Sequence, residues 1–153
     1  MSRAFVKETD EVFDLPDRPV SEHPNLVTKR GLAVIEAGVE RWQQALADAQ
    51  TGEDREKIAA AQRELRYWTA RRATADLQPP PGDCSQVRFG SKVTIERDDG
   101  RTQTFRIVGE DEADPAEGTI SYVAPLARAL IGKEVGDVVR VGASEAEIVA
   151  IDA

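Results

Sequence analysis

Residues 28–78 read TKRGLAVIEAGVERWQQALADAQTGEDREKIAAAQRELRYWTARRATADLQ, and their periodicity decides the first half of the fold. Leu32, Ile35, Val39, Trp42, Leu46 and Ala49 recur at alternating spacings of three and four, the a/d seam of a heptad. Thr28 is placed to cap this helix and Gly52 to stop it. A second series, Ile58, Ala61, Leu65 and Trp68, keeps the same spacing after a short turn at Gln50-Thr51-Gly52. Two amphipathic helices joined so briefly are predicted to pack as an antiparallel hairpin, with Trp42 and Trp68 in its seam. The apolar stripe is narrow, and Arg72 falls where the second seam would continue. The hairpin is therefore predicted to project into solvent, with a first arm from Leu32 to Ala49 of about 27 Å.

Downstream, Pro79-Pro80-Pro81-Gly82 ends the helix and reads as a stiff linker. The apolar period then changes to two. Lys92–Ile95 reads as a strand, Asp98-Asp99-Gly100-Arg101 as a hairpin turn and Phe105–Val108 as the return strand. Thr119–Val123 reads as a third strand. Pro125 suits the first position of a short helix closed by Gly132. Val138–Val141 and Glu145–Ile151 complete a final pair. The expected class is α+β: a helical hairpin followed by a small antiparallel sheet with one helix on a face. The divisions are an acidic, flexible tail over 1–24, the hairpin over 25–78, a Pro-rich linker over 79–86 and the sheet domain over 87–153.

Composition narrows the function. No apolar run approaches the roughly 20 residues of a membrane span, and no apolar h-region follows Met1, so no membrane association and a cytoplasmic location are expected. Cys84 is the only cysteine and His23 the only histidine, which excludes an intrachain disulfide, a Cys-cluster zinc site and a histidine-based triad. The net charge of −8 divides as −3 over residues 1–24, +1 over 25–78 and −6 over 79–153. General affinity for nucleic acid needs a positive surface, so only the middle segment offers one. Its candidates for RNA or wall contact are Arg63, Arg66 and Arg71, with Arg72 beside them; the same residues also read as a solvated helix flank.

These residues carry a resemblance. Phe89-Gly90, Val93, Phe105-Arg106-Ile107-Val108-Gly109, Asp111-Glu112-Ala113-Asp114, Ile120-Ser121, Pro125 through Lys133 and Gly136-Asp137 resemble, in order and spacing, the bacterial GreA/GreB transcript-cleavage factors. Thr28-Lys29-Arg30-Gly31 is similar to the Thr-x-x-Gly that opens that family's first coiled-coil helix. The resemblance covers about residues 25–152. It implies an FKBP-like C-terminal domain that docks on the rim of the RNA polymerase secondary channel, and a coiled coil that enters the channel. It also implies that tip carboxylates help hold a second Mg²⁺ in the polymerase active centre. There the polymerase itself hydrolyses backtracked RNA, the carboxylates supplying hard oxygen ligands.

At the tip the family pattern is Gly-Asp-x-x-Glu-Asn and then an aromatic. Here it is Gly52-Glu53-Asp54-Arg55-Glu56-Lys57, with Ala60 at the aromatic position. Glu53 and Glu56 fall on the acidic positions, three apart on what is expected to be one helix face, with Asp54 between them. The same acids also read as ordinary first-turn residues favoured by the helix dipole, with Thr51 as the cap. Relative to the family each arm is shorter by roughly ten residues, about 15 Å of reach. Carboxylates that fall so far short cannot ligate an ion through bonds of about 2 Å. The expected role is thus a channel-binding elongation regulator with weak or no stimulation of cleavage, and no catalytic residue or cofactor of its own. The alternative is a genuine cleavage factor that shares Mg²⁺ with the polymerase through Glu53 and Glu56.

For docking, the resemblance implicates Asp111, Glu112, Asp114, Pro125 and Arg128, although Val123 and Ala124 stand where the family often has an acid and a Ser. The FKBP-like fold also raises a prolyl isomerase. That site needs an aromatic-lined pocket, and only Phe89, Phe105 and Tyr122 follow the linker. The tail is unexplained by the resemblance. One expectation is that it folds over the basic flank of the hairpin and inhibits docking.

Overall fold

The structure is a computed structural model that describes residues 15–153. The first fourteen residues of the expected tail lie outside the described residues. The chain divides into two units: residues up to Glu22 with Ala33–Thr74, and His23–Leu32 with Ala75–Ala153.

The helical hairpin consists of α1 (Lys29–Thr51) and α2 (Arg55–Thr74). Thr28 begins α1 as its side chain accepts the Gly31 N–H at 2.9 Å, and its carbonyl accepts from Leu32. Ile35, Val39, Ala49, Ala59 and Ala61 are buried along the seam, and Trp42, Leu46, Leu65 and Trp68 are half-buried. Gly38 is the site of closest approach: a Cβ there would lie 2.6 Å from Trp68 Cδ2. The indole occupies the space that any other residue would fill. Tyr67 meets Trp68 edge-on at 5.2 Å between centroids.

The second unit begins with a feature the sequence did not suggest. β1 (Leu26–Val27) and β2 (Asp76–Leu77) pair in parallel, joining the chain just before α1 to the chain just after α2. The main sheet contains β3 (Lys92–Arg97), β4 (Thr102–Val108), β5 (Thr119–Ser121), β6 (Val138–Val141) and β7 (Ser144–Asp152), in the order β5-β4-β3-β7-β6. The β3–β4 turn is held by Asp99, whose carboxylate accepts the Arg101 backbone N–H at 3.0 Å. That bond, more than the Arg101 charge, holds the Asp99 pKa below the ordinary aspartate value.

One strand corrects the expected antiparallel sheet. β5 runs parallel to β4, with Arg106 opposite Thr119 and Val108 opposite Ser121. Residues 109–118 carry the chain back along the sheet before β5 begins, through a 3₁₀ turn at Pro115–Glu117 closed by Gly118 at φ 82°. The core comprises Val87, Val93, Ile95, Ile107, Ile120, Val139, Ala146, Ile148 and Ile151. Ala127 and Leu130 of α3 (Pro125–Leu130) complete it. Inward residues alternate with outward ones, as the two-residue period predicts. Between Thr94 and Ile95 the pairing with β7 shifts by one residue. Val149 is the extra residue of that bulge and is exposed.

Candidate functional site

The hairpin tip is built by backbone rules before any chemistry. Asp54 N–H donates to the Ala49 carbonyl at 3.1 Å and Glu53 N–H to that of Gln50 at 3.2 Å. This six-to-one and five-to-two pair is a Schellman closure. It requires a left-handed residue at its C′ position, and that residue is Glu53, at φ 54°. Gly52, the expected helix stop, instead precedes the left-handed position. Glu53 is therefore outside both helices. This corrects the expectation that Glu53 and Glu56 share one helix face: α2 starts at Arg55, and only Glu56 lies in its first turn.

The expected cap is also corrected. Thr51 is the last residue of α1 and its hydroxyl donates back to the Ala47 carbonyl at 3.0 Å. Asp54 takes the capping role: its carboxylate accepts the Lys57 N–H at 3.2 Å and its carbonyl accepts from Ile58. Lys57 Nζ lies 3.9 Å from the same carboxylate. Asp54 is thus committed to the helix start and to a cation. Among the described residues no group of three or more carboxylate, imidazole or thiol side chains converges to hold a metal ion.

Along α2 the expected basic face divides. Arg71 is 1% exposed, so it presents no charge to solvent, which removes it as an RNA or channel contact. Arg72, where the seam was extrapolated, is exposed instead. Arg63 is half-buried, with its Nε enclosed and without a hydrogen-bond partner. Arg66 is exposed, and its Nε lies 2.6 Å from the Asp17 carboxylate. Beside it, the Arg18 guanidinium pairs with Glu64 at 2.8 Å and stacks 3.8 Å above the Tyr67 ring.

In the sheet unit the acidic loop follows β4. Because β5 is parallel to β4, the loops after both strands leave at the same end of the sheet. Gly109–Asp114 and Val123-Ala124-Pro125 are thereby brought to one end, as Tyr122 N–H donating to the Val108 carbonyl also shows. Asp114, Pro125 and Arg128 are exposed and Asp111 is half-buried. Glu112 is differently used: its carboxylate accepts a short hydrogen bond from the Thr28 hydroxyl and stands where a Gly31 side chain would be. The loop is thus anchored to the start of α1, and Gly109 must be glycine because the Leu26 carbonyl would lie 2.3 Å from a Cβ. Tyr122 adds an anchor by donating to the Pro24 carbonyl.

This sheet domain has known counterparts. A family model described as "Transcription elongation factor, GreA/GreB, C-term" matches residues 82–152. Over those residues the chain is similar to the C-terminal domain of GreA/GreB proteins. The protein named transcription elongation factor GreA from Rhizobium leguminosarum bv. viciae is 48% identical over 81 residues, 52% of this chain and 50% of that one. Its namesake from Agrobacterium fabrum is 45% identical over 93 residues, 58% of each. The chain spans about half the length of the curated relatives it matches. Among solved structures, GreA factor homolog 1 (Gfh1) of Thermus thermophilus is similar at 22% identity and a TM-score of 0.42, over 86% of this chain and all of that one. A GreA/GreB structure from Nitrosomonas europaea gives 18% and 0.43, over 84% of this chain and 98% of that one.

The sequence located the acidic loop and the Pro125 block but not the bonds that fasten the loop and the tail. The Thr28–Glu112 bond was not visible, because nothing local links residues 84 positions apart. The tail is expected over the basic flank of the hairpin, but its low apolar content does not show that Asp17 and Arg18 make the contact. Two residues of charge flanked by Pro16 and Pro19 were the available signal.

Proposed function

We propose that the chain is a GreA/GreB-type elongation regulator that binds bacterial RNA polymerase at the secondary channel and stimulates transcript cleavage weakly or not at all. Binding is assigned to the exposed acidic end of the sheet domain, where Asp111 and Asp114 neighbour the Pro125 block and meet basic residues of the channel rim. The hairpin is the part that enters. Any RNA hydrolysis takes place in the polymerase active centre, and Mg²⁺ belongs there.

The observation that carries the non-cleaving assignment is the commitment of the tip. Asp54 is used as a cap and paired with Lys57, and Glu53 is turned out of the helix by its left-handed backbone. Carboxylates that help hold an ion must converge on it at about 2.0–2.6 Å, and Glu53, outside α2, does not share the helix face of Glu56. Were Glu53 and Glu56 to reach the metal, they would add ligands for an ion that activates water.

The test is transcript cleavage on stalled, backtracked polymerase, first with this protein alone and then with it in excess over a cleaving relative. The expected outcome is no cleavage alone and suppression of the relative's activity. Robust cleavage that disappears in the Glu53→Ala/Glu56→Ala double variant would establish the cleavage-factor alternative instead. No cleavage and no suppression would remove the channel-binding role.

A further inference from the structure

We infer that residues 15–22 form a reversible strap over the middle of α2, and that this strap must lift for the hairpin to engage its partner. The inference rests on the polymerase-binding role proposed for the chain and adds a built-in brake to it.

The strap is made by two adjacent residues with opposite charges. Asp17 reaches Arg66, and Arg18 reaches Glu64 while covering the face of Tyr67. Each strap charge meets its complement on α2, so shifting the segment by one residue would set like against like. Pro16 and Pro19 flank the pair and fix φ on both sides, which lowers the entropy lost when the segment lies down. The contact is specific in register yet shallow. The Asp17 and Arg66 side chains remain 72% and 49% exposed, and Leu15 and Val20 stay exposed as well. Exposed pairs of this kind contribute little, and the firmest element is the Arg18 guanidinium between a carboxylate and a ring.

What the strap covers is the reason to call it a brake. With Asp17 and Arg18 away, α2 presents Arg66, Glu64 and an uncovered Tyr67 ring about 16–21 Å along the helix from the tip. A hairpin that enters a channel brings this midsection against the channel wall, and the strap occupies both its surface and its charges. A cover that holds the competent state to a fraction of molecules weakens apparent affinity by that fraction. For contacts this shallow the closed form comprises roughly four-fifths to nine-tenths of the molecules, so removing it strengthens binding about five- to tenfold.

The test measures the affinity of the full chain, of Arg18→Ala and of a chain lacking residues 1–22 for the intact polymerase core enzyme. Circular dichroism confirms the helical content of each variant. The expected result is binding by the full chain and about five- to tenfold tighter binding by both variants. Equal or weaker binding by folded variants overturns the brake and leaves polymerase binding standing. Binding by none of the three overturns the polymerase role and the brake with it. The truncation keeps the question decidable if Arg18→Ala disturbs the helix locally.

Discussion

At the level of single residues, the tip shows conformation taking precedence over chemistry. Glu53 occupies the left-handed position that closes α1, a conformation that costs an L-residue with a Cβ roughly 1 kcal/mol or more. Glycine there removes the strain, and its greater freedom in the unfolded chain offsets part of the gain. Glu53→Gly is expected to stabilise the hairpin by about 0.5–1 kcal/mol, read as a higher urea midpoint with unchanged slope. A drop in the midpoint would mean that the Glu53 side chain makes a contact worth more than the strain. The acids at 53 and 56 were legible as acids. Their geometry was not, because a pattern of residue types does not say that the left-handed turn falls one residue beyond Gly52.

Elements were legible where one period held throughout. The spacing of three and four over α1 predicted the buried Ile35, Val39 and Ala49, and two-residue alternation predicted the inward faces of β3 and β7. It failed at the end of α2, where the extrapolated position was Arg72 and the buried one is Arg71. Neighbouring helix residues lie about 100° apart, so the burial of Arg71 reflects packing on a different side of α2 from the seam, which a heptad pattern does not describe. The parallel direction of β5 was illegible for another reason: strand direction is set by how residues 109–118 travel, and alternation within three residues carries no sense of direction. Packing between the arms gives a prediction whose sign propensity alone would miss. Gly38→Ala should gain about 1 kcal/mol as an exposed helix position, but the new Cβ meets Trp68 at 2.6 Å. Overpacking of that kind costs about 1–3 kcal/mol, so the net change is destabilisation of up to about 2 kcal/mol. Tryptophan fluorescence reports it directly, since both tryptophans, Trp42 and Trp68, lie on the hairpin helices; an unchanged or higher midpoint would show that the indole shifts freely.

Across the molecule, the core of the sheet domain is complete without the hairpin: every residue of its buried cluster lies between Val87 and Ile151. A fragment of residues 82–153 is expected to fold alone, with dispersed amide resonances and a cooperative thermal transition. A collapsed fragment without fixed packing would show that the segment around Leu26, which meets Gly109, is needed to hold the acidic loop. The family resemblance was most readable in that domain, where its blocks keep order and spacing over the stretch the family model matches.

The two-residue ladder between β1 and β2 has a consequence for how such a protein can change over generations. It fastens the incoming and outgoing chain side by side, so the arms between them behave as an interchangeable cassette. Inserting or deleting seven residues in each arm alters extension by about 10 Å while preserving the seam and the ladder's register. Lineages can thereby lengthen or shorten the hairpin in discrete increments without redesigning the sheet domain that carries it.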